Sequence, residues 1–201
     1  QLVAEYAGIG GGNEKQLASY LRTLIDRYQM VEKRRPIFSG GRSRKARYRI
    51  ADNFLASWLS SLSRAVQMAR IQPVATAVQK ADAGLKVQEG VAFEKMIRLL
   101  TQECSRKGLG DFALTEMVDG YWNKADASDI EIDLVALNGD DQVVRFGSCK
   151  RSARRHHAAA LTGFSEHVAR FLATKEGRRL TAWRVEKVLY APVFSDQEKH
   201  E

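Results

Sequence analysis

Five polar residues are spaced so that they could do chemistry together. Glu131 and Asp133 lie two apart in IEIDLVAL, and Ser148 and Lys150 lie two apart in FGSCK. Residues two apart in a strand share a face, and the NGDD turn between these runs predicts an antiparallel hairpin that brings the pairs together. Glu94, in VAFEKMIRLL, sits between Val91 and Ile97 inside the apolar arc of a predicted helix, aimed at the same layer. Apolar neighbours on both faces (Ile130, Ile132, Leu134; Val144, Phe146) predict central, covered strands, in which Asp133 and Lys150 need a partner or a function. Three acids and a lysine at adjoining strand ends are the groups used in metal-assisted phosphodiester hydrolysis. Their oxygens hold Mg²⁺, which stabilises developing charge and acidifies an attacking water, while the lysine positions or deprotonates that water. The competing reading is a buried Asp133–Lys150 ion pair that fixes strand register and catalyses nothing.

The elements that must hold these groups are a helix over 87–105, strands over 112–118, 130–137 and 142–150, a helix over 156–173 and a strand over 184–192. This αβββαβ order predicts a mixed α/β (α+β) layer fold. Trp122 is expected to plug its core, and Cys149 to face away from Ser148 and Lys150. The run KRSARRHH is either a second phosphate-binding edge or a solvated helix start. His156 and His157, adjacent on a helix, diverge by about 100° and make a poor metal pair.

Ahead of this unit, NEKQLASYLRTLIDRYQMV places Leu17, Leu21, Leu24 and Tyr28 on one helical face, with Asn13 as N-cap. MVEKRRPIF and ARYRI read as strands around the hairpin tip SGGRSRK. Helix, strand, basic loop and strand form the second half of a winged helix-turn-helix, whose preceding helix would be 2–7 with GIGGG as the turn. The predicted organisation is a truncated winged helix over 1–52, a helical connector over 53–85 with a break near Gly84, and the α/β domain over 86–201. Arg42, Arg44, Lys45 and Arg47 would reach DNA phosphates from the wing. Lys15, Gln16, Ser19, Arg22 and Thr23 would face DNA from the helix. A solvated charged hairpin, or a protein contact, is the alternative.

The charge balance is consistent with a polyanion partner. Net charge is +8 from 32 Lys and Arg against 24 Asp and Glu. Nine of the basic residues fall between Arg27 and Arg49 with Glu32 as the one acid, so this segment carries the whole excess. Two cysteines are too few for a disulfide framework and fit a reducing, cytoplasmic compartment. No run approaches the length and apolarity of a membrane span. Starting at Gln1, the chain reads as a piece of something larger.

Asp133, fourteen residues, then x-C-K, in this helix and strand order, resembles the PD-(D/E)XK nuclease superfamily. YRIADNFLASWL, VAFEKMI, MVDGYWNK, EIDLVAL and FGSCK together resemble the C-terminal module that follows the P-loop ATPase domain of archaeal-type ATPases and their bacterial relatives. The resemblance runs from about Leu17 to Pro192. It implies a winged helix followed by a PD-(D/E)XK, restriction-endonuclease-like domain, with catalytic Asp133, Lys150 and Glu94. Asp133 and Glu94 would ligate Mg²⁺, with Glu131 as a substitute ligand. The substitute is needed because Ser148 stands where the family pattern has a glutamate, and a hydroxyl is a poorer Mg²⁺ ligand. ATP would enter only through the ATPase domain upstream, because GIGGGNEK is not a P-loop and no cofactor-binding residue is assigned. The reading is a DNA-binding module of an ATPase with a degenerate nuclease-like domain. The alternatives are an active Mg²⁺-dependent endonuclease, and a protein-interaction module docking on the ATPase domain or another partner. Oligomeric state is left open.

Overall fold

Leu17, Leu21 and Leu24 form the inner stripe of the first described helix. In the computed structural model, which describes residues 14–40, 45–123 and 130–193, this helix is α1 (Glu14–Arg22), extended by a π-helical turn, Thr23–Arg27. The expected Asn13 cap, helix 2–7 and GIGGG turn, together with Arg42 and Arg44, lie outside the described residues. Strands β1 (Val31–Arg34) and β2 (Arg47–Ile50) pair antiparallel, with Val31 opposite Ile50 and Arg34 opposite Arg47.

Asp52 then caps α2 (Asn53–Ser57) by accepting the Leu55 N–H at 2.7 Å. A second π-helical turn, Trp58–Leu62, joins α2 to α3 (Ser63–Met68). Pro73 separates α3 from α4 (Val74–Arg106), a helix of 33 residues. The break expected near Gly84 does not occur. A Cβ at Gly84 would run into the Ser61 side chain, so this glycine serves a close helix approach and leaves the helical backbone unbroken.

The chain divides into two compact units, Gln1–Arg34 with Ala46–Gly84, and Arg35–Lys45 with Leu85–Glu201. The second unit is a four-stranded sheet in the order β3 (Asp119–Asn123), β4 (Ile130–Asn138), β5 (Val143–Cys149), β6 (Arg184–Tyr190). β3, β4 and β5 run antiparallel, while β6 returns parallel to β5 through α5 (Ala158–Ala173). The strand expected over 112–118 is instead loop, and the residues that pair with β4 are 119–123. Thr115 donates to Leu137 O at 3.0 Å, enough to hold the loop against the sheet without a ladder.

Helices cover both faces. Ile130, Ile132, Val135, Leu137, Val144 and Phe146 pack with Val168 and Phe171 of α5. Leu134, Ala136 and Cys149 pack with Phe93 and Ile97 of α4. Every residue of β5 is buried, as expected for a central strand. Ile37 and Phe38 also pack on the α5 face, Phe38 stacking on Phe171 at 5.9 Å with the Arg179 guanidinium 4.1 Å above its ring. Among the described residues no helix is long and apolar enough to cross a membrane.

Candidate functional site

The side chain of Asp133 is aimed by an irregularity in the sheet. Asp119 pairs with Val135 but Tyr121 pairs with Ile132, so Gly120 alone faces both Asp133 and Leu134. A Cβ on Gly120 would lie 3.1 Å from the Ile132 and Asp133 carbonyl oxygens. This bulge moves the apolar set of β4 from even to odd positions, with Ile130 and Ile132 and then Val135 and Leu137 on the α5 face. Glu131, off the Ile132 face, remains near enough to Asp133 for its charge to act on that carboxyl.

The structure brings Asp133 and Lys150 together. Asp133 Oδ2 accepts the Cys149 N–H at 2.7 Å and lies 3.7 Å from Lys150 Nζ. Lys150 follows β5 directly, its backbone N–H donating to Tyr190 O at 2.9 Å. Burial pushes the Asp133 carboxyl above the ordinary range; Lys150 and the Cys149 N–H pull it down, and Glu131 pushes it further up. Ser148 is buried at 5% exposure.

Glu94 belongs to the same neighbourhood. The Cys149 thiol is pushed strongly up by burial first, then by the carboxylates of Asp133 and Glu94, while Arg98 and Lys150 oppose them. Asp133, Glu94, Arg98 and Lys150 thus all lie near enough for their charges to act on this thiol. Among the described residues no three His, Cys, Asp or Glu side chains gather within reach of one ion. The described donors do not make the three-carboxylate set implied for Mg²⁺.

Two buried arginines, and all but Arg47 of a charged hairpin face, escaped the sequence reading. Arg145, on β5, is 8% exposed, yet donates twice to Asp111 at 2.9 and 3.0 Å and to Glu186 at 2.9 Å, with its guanidinium 4.5 Å from the Phe112 ring. Burial alone would lower its pKa, but the bonds to Asp111 and Glu186 outweigh that and raise it. Arg98, buried on α4, lies 3.6 Å from Asp119. On the hairpin, Glu32, Arg34, Arg47 and Arg49 share one face, since Glu32 is opposite Arg49 and Arg34 opposite Arg47. Arg47 and Arg49 alternate in RYR, whereas Lys33, Arg34 and Arg35 run on without a gap, so the second strand alone carried a signal.

Of the expected wing and helix residues, Arg47 lies on β2, Arg22 is exposed at the end of α1 and Lys15 lies in its first turn. Lys45 differs from a free wing tip: its carbonyl accepts the Trp122 indole N–H at 2.8 Å, within the second unit. Trp122 is buried, as its expected core role requires.

Residues 58–161 match DUF234, a family described as archaeal and bacterial proteins of unknown function, over about half of the chain. The chain belongs to this family. The DUF234 match includes Glu94, Asp133 and Lys150 and leaves out the basic hairpin. An uncharacterised protein of Methanocaldococcus jannaschii, MJECL04, is 26% identical over 140 residues, covering 70% of this chain and 30% of that protein. The matched stretch thus spans less than a third of the curated relative's length. No solved structure matches the chain.

Proposed function

We propose that this DUF234 chain is a DNA-binding module. In this reading the first unit, the second half of a winged helix, grips phosphates, and the second is a PD-(D/E)XK-like layer that no longer cuts. The observation that carries the proposal is the hairpin face on which Arg34, Arg47 and Arg49 accompany the single acid Glu32. Guanidinium groups clustered on one face bind a phosphate backbone with release of its condensed counterions. The bond from the buried Cys149 N–H to Asp133 Oδ2 supports a structural role for Asp133. The same proposal places the module in the cytoplasm, C-terminal to a P-loop ATPase domain, consistent with the greater length of MJECL04.

Fluorescence anisotropy with a labelled duplex tests the binding claim. The whole chain should bind at low salt, and Arg47→Glu should weaken binding of every sequence alike. Equal binding by wild type and the variant would remove the hairpin from the interface.

A second reading, a Mg²⁺-dependent endonuclease, is favoured by the 3.7 Å approach of Lys150 to Asp133. Plasmid cleavage in Mg²⁺ or Mn²⁺ that disappears in Asp133→Asn would establish it in place of the first. Absence of cleavage by the wild type under the same conditions would end it.

A further inference from the structure

Strand β6 is an edge of the sheet, and no described strand lies outside it. Its outward hydrogen-bonding groups can be assigned. The bonds Arg184 N–H to Gln142 O and Lys150 N–H to Tyr190 O turn the even positions of β6 toward β5. The N–H and C=O groups of Val185, Lys187 and Leu189 therefore point outward. Edge strands are commonly guarded by a lysine standing over them. Here Lys187 lies back on α5, its Nζ 3.1 Å from Ser165 Oγ, rather than over the edge.

Two cavities run along the α4 side of this edge. One, about 310 Å³, is lined by Leu100, Thr101 and Cys104 of α4, Val188 and Tyr190 of β6, and Phe112. Leu100 remains 53% exposed at its rim. The other, about 350 Å³, includes Asp111, Asp141, Glu186 and Arg184. Arg145, which with Asp111 also lines the first cavity, bonds Asp111 and Glu186, Arg184 bonds Glu186 at 2.8 Å, and Asp141 accepts from Asn138 Nδ2 at 2.8 Å; one net negative charge remains, and the Asp111 side chain is 84% exposed. The first cavity suits an apolar side chain and the second a cationic one. Their β6 residues, Val188 with Tyr190 and Arg184 with Glu186, are centred four residues apart, roughly 13 Å along a strand.

We propose that the β6 edge binds an extended segment of a partner protein by strand addition, with an apolar and a basic side chain four residues apart seated in these cavities. Main-chain bonds to Val185, Lys187 and Leu189 supply affinity, and the cavities supply sequence preference. Self-pairing about the centre of β6 is disfavoured, because it would oppose Lys187 to Lys187.

The test uses the whole chain and two labelled peptides in a threonine and valine background. One has leucine four residues before arginine, and the other has the reverse order, because strand direction decides which side chain meets which cavity. One order should bind measurably. Arginine to glutamate in that peptide, N-methylation of its alternate amides, or Leu100→Glu in the protein should each weaken binding at least tenfold, with the circular dichroism of the variant unchanged. Failure of both peptides, equal binding by a scrambled peptide, indifference to N-methylation, or dimerisation of the chain through this edge would each overturn the proposal.

Discussion

Asp133 offers a direct test of whether the central charges hold structure. Its Oδ2 accepts the N–H of Cys149, a residue only 6% exposed, at 2.7 Å. Asp133→Asn keeps an oxygen for that N–H and removes the buried charge, whereas Asp133→Ala leaves the donor without its acceptor. An unsatisfied buried N–H costs about 1–3 kcal/mol, so the asparagine variant should exceed the alanine variant by about that amount in urea denaturation at neutral pH. The ion pair adds little to this difference, because Lys150 is 37% exposed. The pH dependence has a definite sign. Burial raises the Asp133 carboxyl above its ordinary value, so the native state holds the proton more tightly than the unfolded chain does. Stability then falls as pH climbs from the ordinary carboxyl range through the raised native value. Asp133→Asn escapes that loss, and its stability relative to wild type should be greater at neutral pH than in mild acid. Equal stability of the alanine and asparagine variants, or an asparagine-to-wild-type difference that ignores pH, would refute the reasoning.

Other substitutions report on the packing that positions the site. A Cβ at Gly147 would lie 2.8 Å from the Tyr190 ring and 3.0 Å from Leu134 Cβ, so Gly147→Ala should lower stability by about 1–3 kcal/mol, read as a lower urea midpoint at constant m. Arg145→Ala strands Asp111, leaves Glu186 to Arg184 alone and opens a gap over Phe112. Asp111 can rehydrate, which puts the cost near the lower end for a broken buried pair, about 3 kcal/mol, measurable by the same method. Trp122→Phe removes the indole donor to Lys45 O and should cost about 1 kcal/mol. Protection of the Trp122 indole N–H from hydrogen exchange in the wild type would check the bond itself.

The central strands, their turn and the hairpin were legible because local signals agree with the final packing. Apolar runs on both faces of 130–137 and 142–150 demanded burial, and NGDD supplied the turn. The bulge at Asp133 was not legible, because it depends on Gly120 meeting two residues of β4 across the sheet. The false strand over 112–118 has a similar origin: FALTEMV has strand-like residues, but the partner register selects 119–123. Gly84 looked like a break because glycine lowers helix propensity; contact with Ser61 accounts for it instead. At the site, the Asp133–Lys150 approach followed from strand spacing, whereas burial of Arg145 among Phe112, Asp111 and Glu186 joins three distant segments that no local pattern connects.

The salt dependence of duplex binding tests the central claim most directly. Each phosphate contact contributes a slope of about −0.9 in log affinity against log salt. If the hairpin face grips the backbone, changing Arg34, Arg47 and Arg49 to alanine together should flatten the slope by roughly two to three units, at every duplex sequence tried. A wild-type affinity that does not respond to salt, or a triple variant with an unchanged slope, would contradict the account.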